Sequence, residues 1–114
     1  MSDIAEIELS IEAAKDLVSR KEQALRLANN RDFKKLVLDG YVKDEAVRLT
    51  GLSADPNMKN HQDDIFDAIK GISLFRQYMQ NIVTIGKVAE NELLEQEQVL
   101  EEIRTHENEG VMLQ

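Results

Sequence analysis

Cysteine and tryptophan are missing from this 114-residue chain, proline occurs once, glycine five times, and the aromatics are three Phe and two Tyr. Without cysteine there is no disulfide framework, thiolate metal site, cysteine nucleophile or thiol redox chemistry. With so few aromatic rings, burial must rely on Ile, Leu, Val and Ala packed in seams. Scarce Gly and Pro mean few chain breakers, and hence long uninterrupted elements. No stretch approaches the roughly 18 apolar residues of a membrane span, and Met1 to Glu6 lacks the basic-then-apolar pattern of a secretory leader. A soluble chain made in the cytoplasm is the expectation, with no membrane contact.

The formal charge of −8 is divided as −2 over residues 1–29, 0 over 30–86 and −6 over 87–114. An acidic surface repels phosphate backbones, so direct nucleic-acid binding is disfavoured and a basic protein surface is the natural long-range partner.

What is present in abundance is helical periodicity. Ile4, Ile7, Ile11, Ala14, Val18, Leu25 and Ala28 follow a three-four spacing broken only by Lys21, which predicts a helix over about 3–28 with a heptad seam. Leu9, Leu17 and Leu27 lie off this seam and widen the face toward a third helix. Asn30 is a suitable N-cap for a short helix over 31–39, with Gly40 as its left-handed terminator; a second short helix is predicted over 43–50 and closed by Gly51. Ser53 to Asn57 has turn chemistry, Pro56 biasing Asp55 toward an extended backbone. From a cap at Asn60, a helix over 61–106 carries Ile65, Ile72, Met79, Gly86, Leu93 and Leu100 at one heptad position, with Ala68, Phe75, Ile82, Ala89, Gln96 and Ile103 at the other. Folding the first helix back antiparallel pairs 4–28 with about 80–104, and places Lys15, Arg20, Lys21 and Arg26 near Glu90, Glu92 and Glu95. The expected architecture is a single all-α domain, an elongated antiparallel helical hairpin, coiled-coil-like, with the two short helices capping one end.

Catalytic signatures are missing. His61 and His106 have no second histidine at i+3 or i+4, and no Glu-x-x-His pair, glycine-rich phosphate loop or Gly-x-Ser-x-Gly elbow occurs. The expectation is therefore no enzyme, no metal and no cofactor. The pair of short helices resembles a helix-turn-helix in outline, but 30–86 has eight basic and eight acidic residues and no basic recognition face. Large apolar groups beyond the seam are the natural anchors for partner proteins: Tyr41, Phe66 and Tyr78, together with Val111, Met112 and Leu113 in a flexible apolar tail over 110–114.

The run Asn30-Arg31-Asp32-Phe33-Lys34-Lys35-Leu36-Val37-Leu38-Asp39-Gly40-Tyr41, with Asp44 to Leu49 and Ala54-Asp55-Pro56 following it, resembles small all-helical virion or assembly proteins of tailed bacteriophages. The resemblance covers between a quarter and a half of the chain and rests on helix caps and core positions. It implies a structural or assembly protein of the virion, assembled in the host cytoplasm, that contacts capsid, portal or tail components in a larger oligomer or binds copies of itself. It carries over no catalytic residues. The alternative, which follows from the charge, is an acidic helical adaptor, chaperone or inhibitor that binds a basic surface on a host or phage protein in the host cytoplasm.

Overall fold

The computed structural model describes the backbone of residues 2–112 and the side chains of residues 3–110. The chain is all-α. Helix α1 spans Ser2–Ala28 and is followed by α2 (Arg31–Phe33), a π-helical segment (Lys34–Glu45), α3 (Ala46–Ser53), a 3-10 segment (Pro56–His61) and α4 (Gln62–Met112). Helix α4 has 51 residues. No helix among the described residues is long and apolar enough to cross a membrane. The chain divides into two compact units, the first formed by Met1–Glu22 with Val83–Gln114 and the second by Gln23–Ile82.

In the first unit α1 and α4 pack antiparallel. Lys21 reaches Glu90, Glu8 reaches Arg104, and Leu17 and Lys21 lie against Gly86, so residue numbers rise on one helix as they fall on the other. This is the expected pairing over the part of it that lies in this unit. The inward stripe runs through Ile11 and Ala14 of α1 and Gly86, Ala89 and Leu100 of α4, all buried. Lys21, the one break in the α1 seam, is itself buried, at 9% exposure. Its stem fits because it faces a residue with no side chain: a Cβ at Gly86 would lie 2.3 Å from Lys21 Cβ and 3.1 Å from the Leu17 carbonyl oxygen. The ammonium then leaves the seam and donates to Glu90 at 2.6 Å, and Glu90 is half open to solvent. A lysine in a helical core is costly unless its charge finds a partner, and here the partner keeps its own hydration.

The second unit has a core of Leu49, Ile65 and Ile72, with Val42, Ala46, Leu52, Met58 and Ile69 packed on it. Ala68, expected in the seam, is exposed, and Ile69 takes the inward place. The face of α4 that meets α3 runs through 65, 69 and 72, a four-three step that brings the bulkier isoleucine inward. Leu25 is likewise exposed, and Ala24 is the buried residue beside it.

The predicted break at Gly40 does not occur. Helical backbone continues from Arg31 to Ser53, and no described glycine has a positive φ. Hydrogen bonds from i to i+5 keep the backbone groups satisfied, so no left-handed terminator is required. The wider turn also resets the side-chain rows. Phe33 and Leu38 are five residues apart, as are Val37 and Val42, and all four are half-buried, whereas Leu36 and Tyr41 form an exposed row. Gly40 contributes its bare Cα to this geometry, since a Cβ there would lie 3.2 Å from the Lys35 carbonyl oxygen.

The caps are partly as expected. Asn30 accepts from the Phe33 amide at 2.9 Å and starts α2. Asn60 is not the cap of the long helix: Asp55, extended before Pro56, accepts from the Asn57 amide, and Asn60 lies inside the 3-10 turn that leads into α4. Proline at the first helical position suits this start, because its missing N–H would have lacked a partner there. At the far end α4 continues past His106 and through Gly110 to Met112, so the chain does not leave helical geometry at Gly110. Leu113 and the rest of the predicted tail beyond Met112 lie outside the described residues. At the start of α3, Arg48 pairs with Glu45, the last residue of the π-helical segment, through both carboxylate oxygens. The hydrogen bond holds the Glu45 carboxyl below its usual range and Arg48 above its own.

Two pairs of substitutions test this packing. Gly86→Ala should lower stability by about 1–3 kcal/mol, because the helices must separate or Lys21 must move, whereas Gly71→Ala, with open space around it, should raise stability by about 0.5–1 kcal/mol. Urea unfolding of the two variants reads the difference directly. Lys21→Met, which keeps the stem and removes the charge, should be neutral within about 1 kcal/mol; Glu90→Ala, which strands a buried ammonium, should cost about 1–3 kcal/mol. Equal losses in the two would rule out the described role of Gly86-facing Lys21.

Candidate protein-interaction surface

The acidity of the chain is confined to one unit. The first unit carries 14 acidic and 5 basic residues, a formal charge of −9, while the second carries 8 and 9, a charge of +1. Within the first unit Lys21, Arg104 and Lys15 are engaged by Glu90, Glu8 and Glu12. Most of the carboxylates are therefore left to face solvent, and their mutual repulsion is a standing cost that a cationic partner would relieve.

Apolar side chains stand among these acids. Ile85 is 50% exposed and Val88 54%, and with Leu17, Thr84, Ala89 and Glu92 they line a shallow depression of about 290 Å³. Further along α4, Val99, Glu102, Ile103, His106 and Glu107 line a second depression of about 490 Å³. Leu9 and Leu94 are also exposed. Leu17 forms a wall of the first depression, whereas Leu9 and Leu27, expected with it to widen the face toward a third helix, are exposed. Ile85, Val88 and Val99 are surface residues outside the set of expected anchors. Their signal in the sequence was a second three-four spacing displaced by one position from the seam of α4, and the stronger seam beside it hides that spacing.

The three anchor residues expected from the sequence within the described region all lie in the second unit and all stay at the surface. Tyr41 is 40% exposed and packs edge-on against Phe75, with ring centroids 5.9 Å apart. Tyr78 is 56% exposed and sits one turn beyond Phe75 on α4, so it belongs to the neighbourhood of that aromatic pair. Phe66, 58% exposed, is twelve residues before Tyr78, about a third of a turn around a 3.6-residue helix, and therefore faces another direction. These residues do not form one patch. The side chains of Val111, Met112 and Leu113 lie outside the described residues.

Among the described residues no group of three or more His, Asp or Glu side chains is placed to hold a metal ion. His61 and His106 are both exposed. The helix-turn-helix outline has no counterpart, since the backbone between its two supposed helices is itself helical. The buried Oε1 of Gln96, the one polar seam residue of α4, has no hydrogen-bond partner among the described residues. No protein-family model, curated protein or solved structure matches the chain.

If the exposed apolar residues serve a surface and not the core, they can be changed without loss of folding. Phe66→Ser and Val88→Ser should each alter stability by no more than about 0.5 kcal/mol, against about 2–5 kcal/mol for Leu49→Ala in the buried cluster. Thermal melts followed by circular dichroism distinguish the two classes; a large loss on changing Val88 would assign it to the interior.

Proposed function

We propose that this chain is a non-enzymatic protein-interaction module, a structural or assembly component that offers its paired helices to a larger partner. The observation that carries this reading is the coincidence, in one unit, of a formal charge of −9 with exposed apolar residues at Ile85, Val88 and Val99. Charge steers an encounter and apolar anchors hold it, and a surface that has both suits recognition of another protein better than it suits chemistry on a small molecule. The setting we favour is the virion of a tailed bacteriophage, in contact with capsid, portal or tail components. The support for it is the resemblance of the run from Asn30 to Tyr41 and the caps that follow it.

A second reading draws on the acid excess alone. A small acidic adaptor, chaperone or inhibitor would cover a basic surface on a host or phage protein transiently, and high salt would release it. The two readings differ in permanence. Mass spectrometry of purified virions from the source organism should recover the chain in stoichiometric amount if it is a component of the particle. Its absence there, with a free monomer in solution and salt-sensitive capture by a basic protein, would replace the structural reading with the adaptor.

A further inference from the structure

We infer that the α1–α4 groove of the first unit is the docking site for a basic amphipathic helix of another protein. The inference rests on the protein-interaction reading above and adds to it a place and a partner chemistry.

Along α4, Ile85, Val88, Glu92, Glu95, Val99 and Glu102 recur at alternating intervals of three and four, and every one is exposed. That spacing sets them in one row on the helix surface, beside the row that packs on α1. The row is apolar at its start, acidic in its centre and apolar again at Val99. Leu17 of α1 forms the opposite wall of the first depression. Ala13 and Ser10, four and seven residues earlier on the same face of α1, are exposed and small, which lets another backbone approach. Two helices that present a second heptad row along their shared groove have the surface on which a third helix completes a bundle.

The order of the row specifies the occupant. Val88 and Val99 are eleven residues apart, about 16 Å along the axis, so a helix lying in the groove needs apolar anchors three turns apart. Between those anchors it must present Lys or Arg to Glu92 and Glu95. A second copy of this chain does not meet that requirement. Parallel or antiparallel about its centre, it would set Glu92 and Glu95 against their own counterparts. Nucleic acid and anionic lipid surfaces are repelled by the same carboxylates.

The test uses the full chain and a fluorescein-labelled synthetic peptide of about 18 residues, with leucines at anchor spacing and lysines between them, followed by fluorescence anisotropy at about 150 mM salt. Binding should weaken about tenfold or more in Val88→Asp and in Ile85→Ser, and stay unchanged in Leu94→Ser, an exposed residue off the row. Circular dichroism confirms that each variant keeps its helix content. Equal binding to all three variants, or equally tight binding of a lysine peptide without leucines, would reduce the effect to charge attraction and overturn the groove. A dimer in sedimentation equilibrium that Val88→Asp dissociates would overturn it in favour of a second copy. Failure here is separable from failure of the functional reading. Incorporation of Val88→Asp into particles at the wild-type level removes the groove and leaves the assembly role standing. Selective peptide binding by a chain absent from particles supports the groove and removes the virion setting.

Discussion

The contact between Lys21 and Gly86 is the constraint on which the first unit depends. At this point the backbones of α1 and α4 come close enough that a single methyl group would collide with the lysine stem. Met79 and Leu93 occupy the same heptad position as Gly86 one repeat to either side, so a slip by one heptad would drive the lysine into a long side chain. The correct register also delivers the ammonium to Glu90, and a turn or more in error would leave it buried and unpaired. A second tie, Glu8 with Arg104, lies 13 residues away on α1 and 14 on α4 and agrees with the same register. A polar residue in an apolar seam thus acts as a selector of alignment at some cost in stability.

That economy of cations shapes the rest of the surface. In the first unit the bases of three ion pairs are used to align or support the helices, and the excess carboxylates remain at the surface. The second unit is near neutrality and is organised conventionally, around Leu49, Ile65 and Ile72. Packing and recognition are therefore distributed differently. One unit buries an aliphatic cluster between α3 and α4, and the other leaves apolar and acidic side chains in alternation where a partner can reach them.

Much of this was legible in the sequence because helical periodicity is a local signal. The extents of α1 and most of α4, the antiparallel pairing and the Asn30 cap follow from spacing and charge; of the bases expected beside Glu90, Glu92 and Glu95, Lys21 meets Glu90, whereas Lys15 pairs with Glu12 on its own helix. The departures share a cause. Gly40 has the chemistry of a terminator and Asn60 that of a cap, but the backbone satisfies its hydrogen bonds in other ways. A heptad count that assumes one partner helix throughout places Ala68 and Leu25 inward; where α3 is the neighbour, the inward row shifts to Ile69. Of the expected anchors, Tyr41, Phe66 and Tyr78 are exposed, while the groove residues Ile85, Val88 and Val99 form a fainter row beside a stronger seam.

The sequence by itself determined the all-α class, the long helices and their antiparallel sense, since periodicity and the scarcity of breakers act residue by residue along the chain. Only the tertiary structure decided that Lys21 is accommodated by Gly86, that the 31–53 segment stays helical through Gly40, and which apolar rows are left uncovered. These depend on which atoms of a distant segment arrive within a few ångströms, and a one-dimensional pattern does not encode that distance.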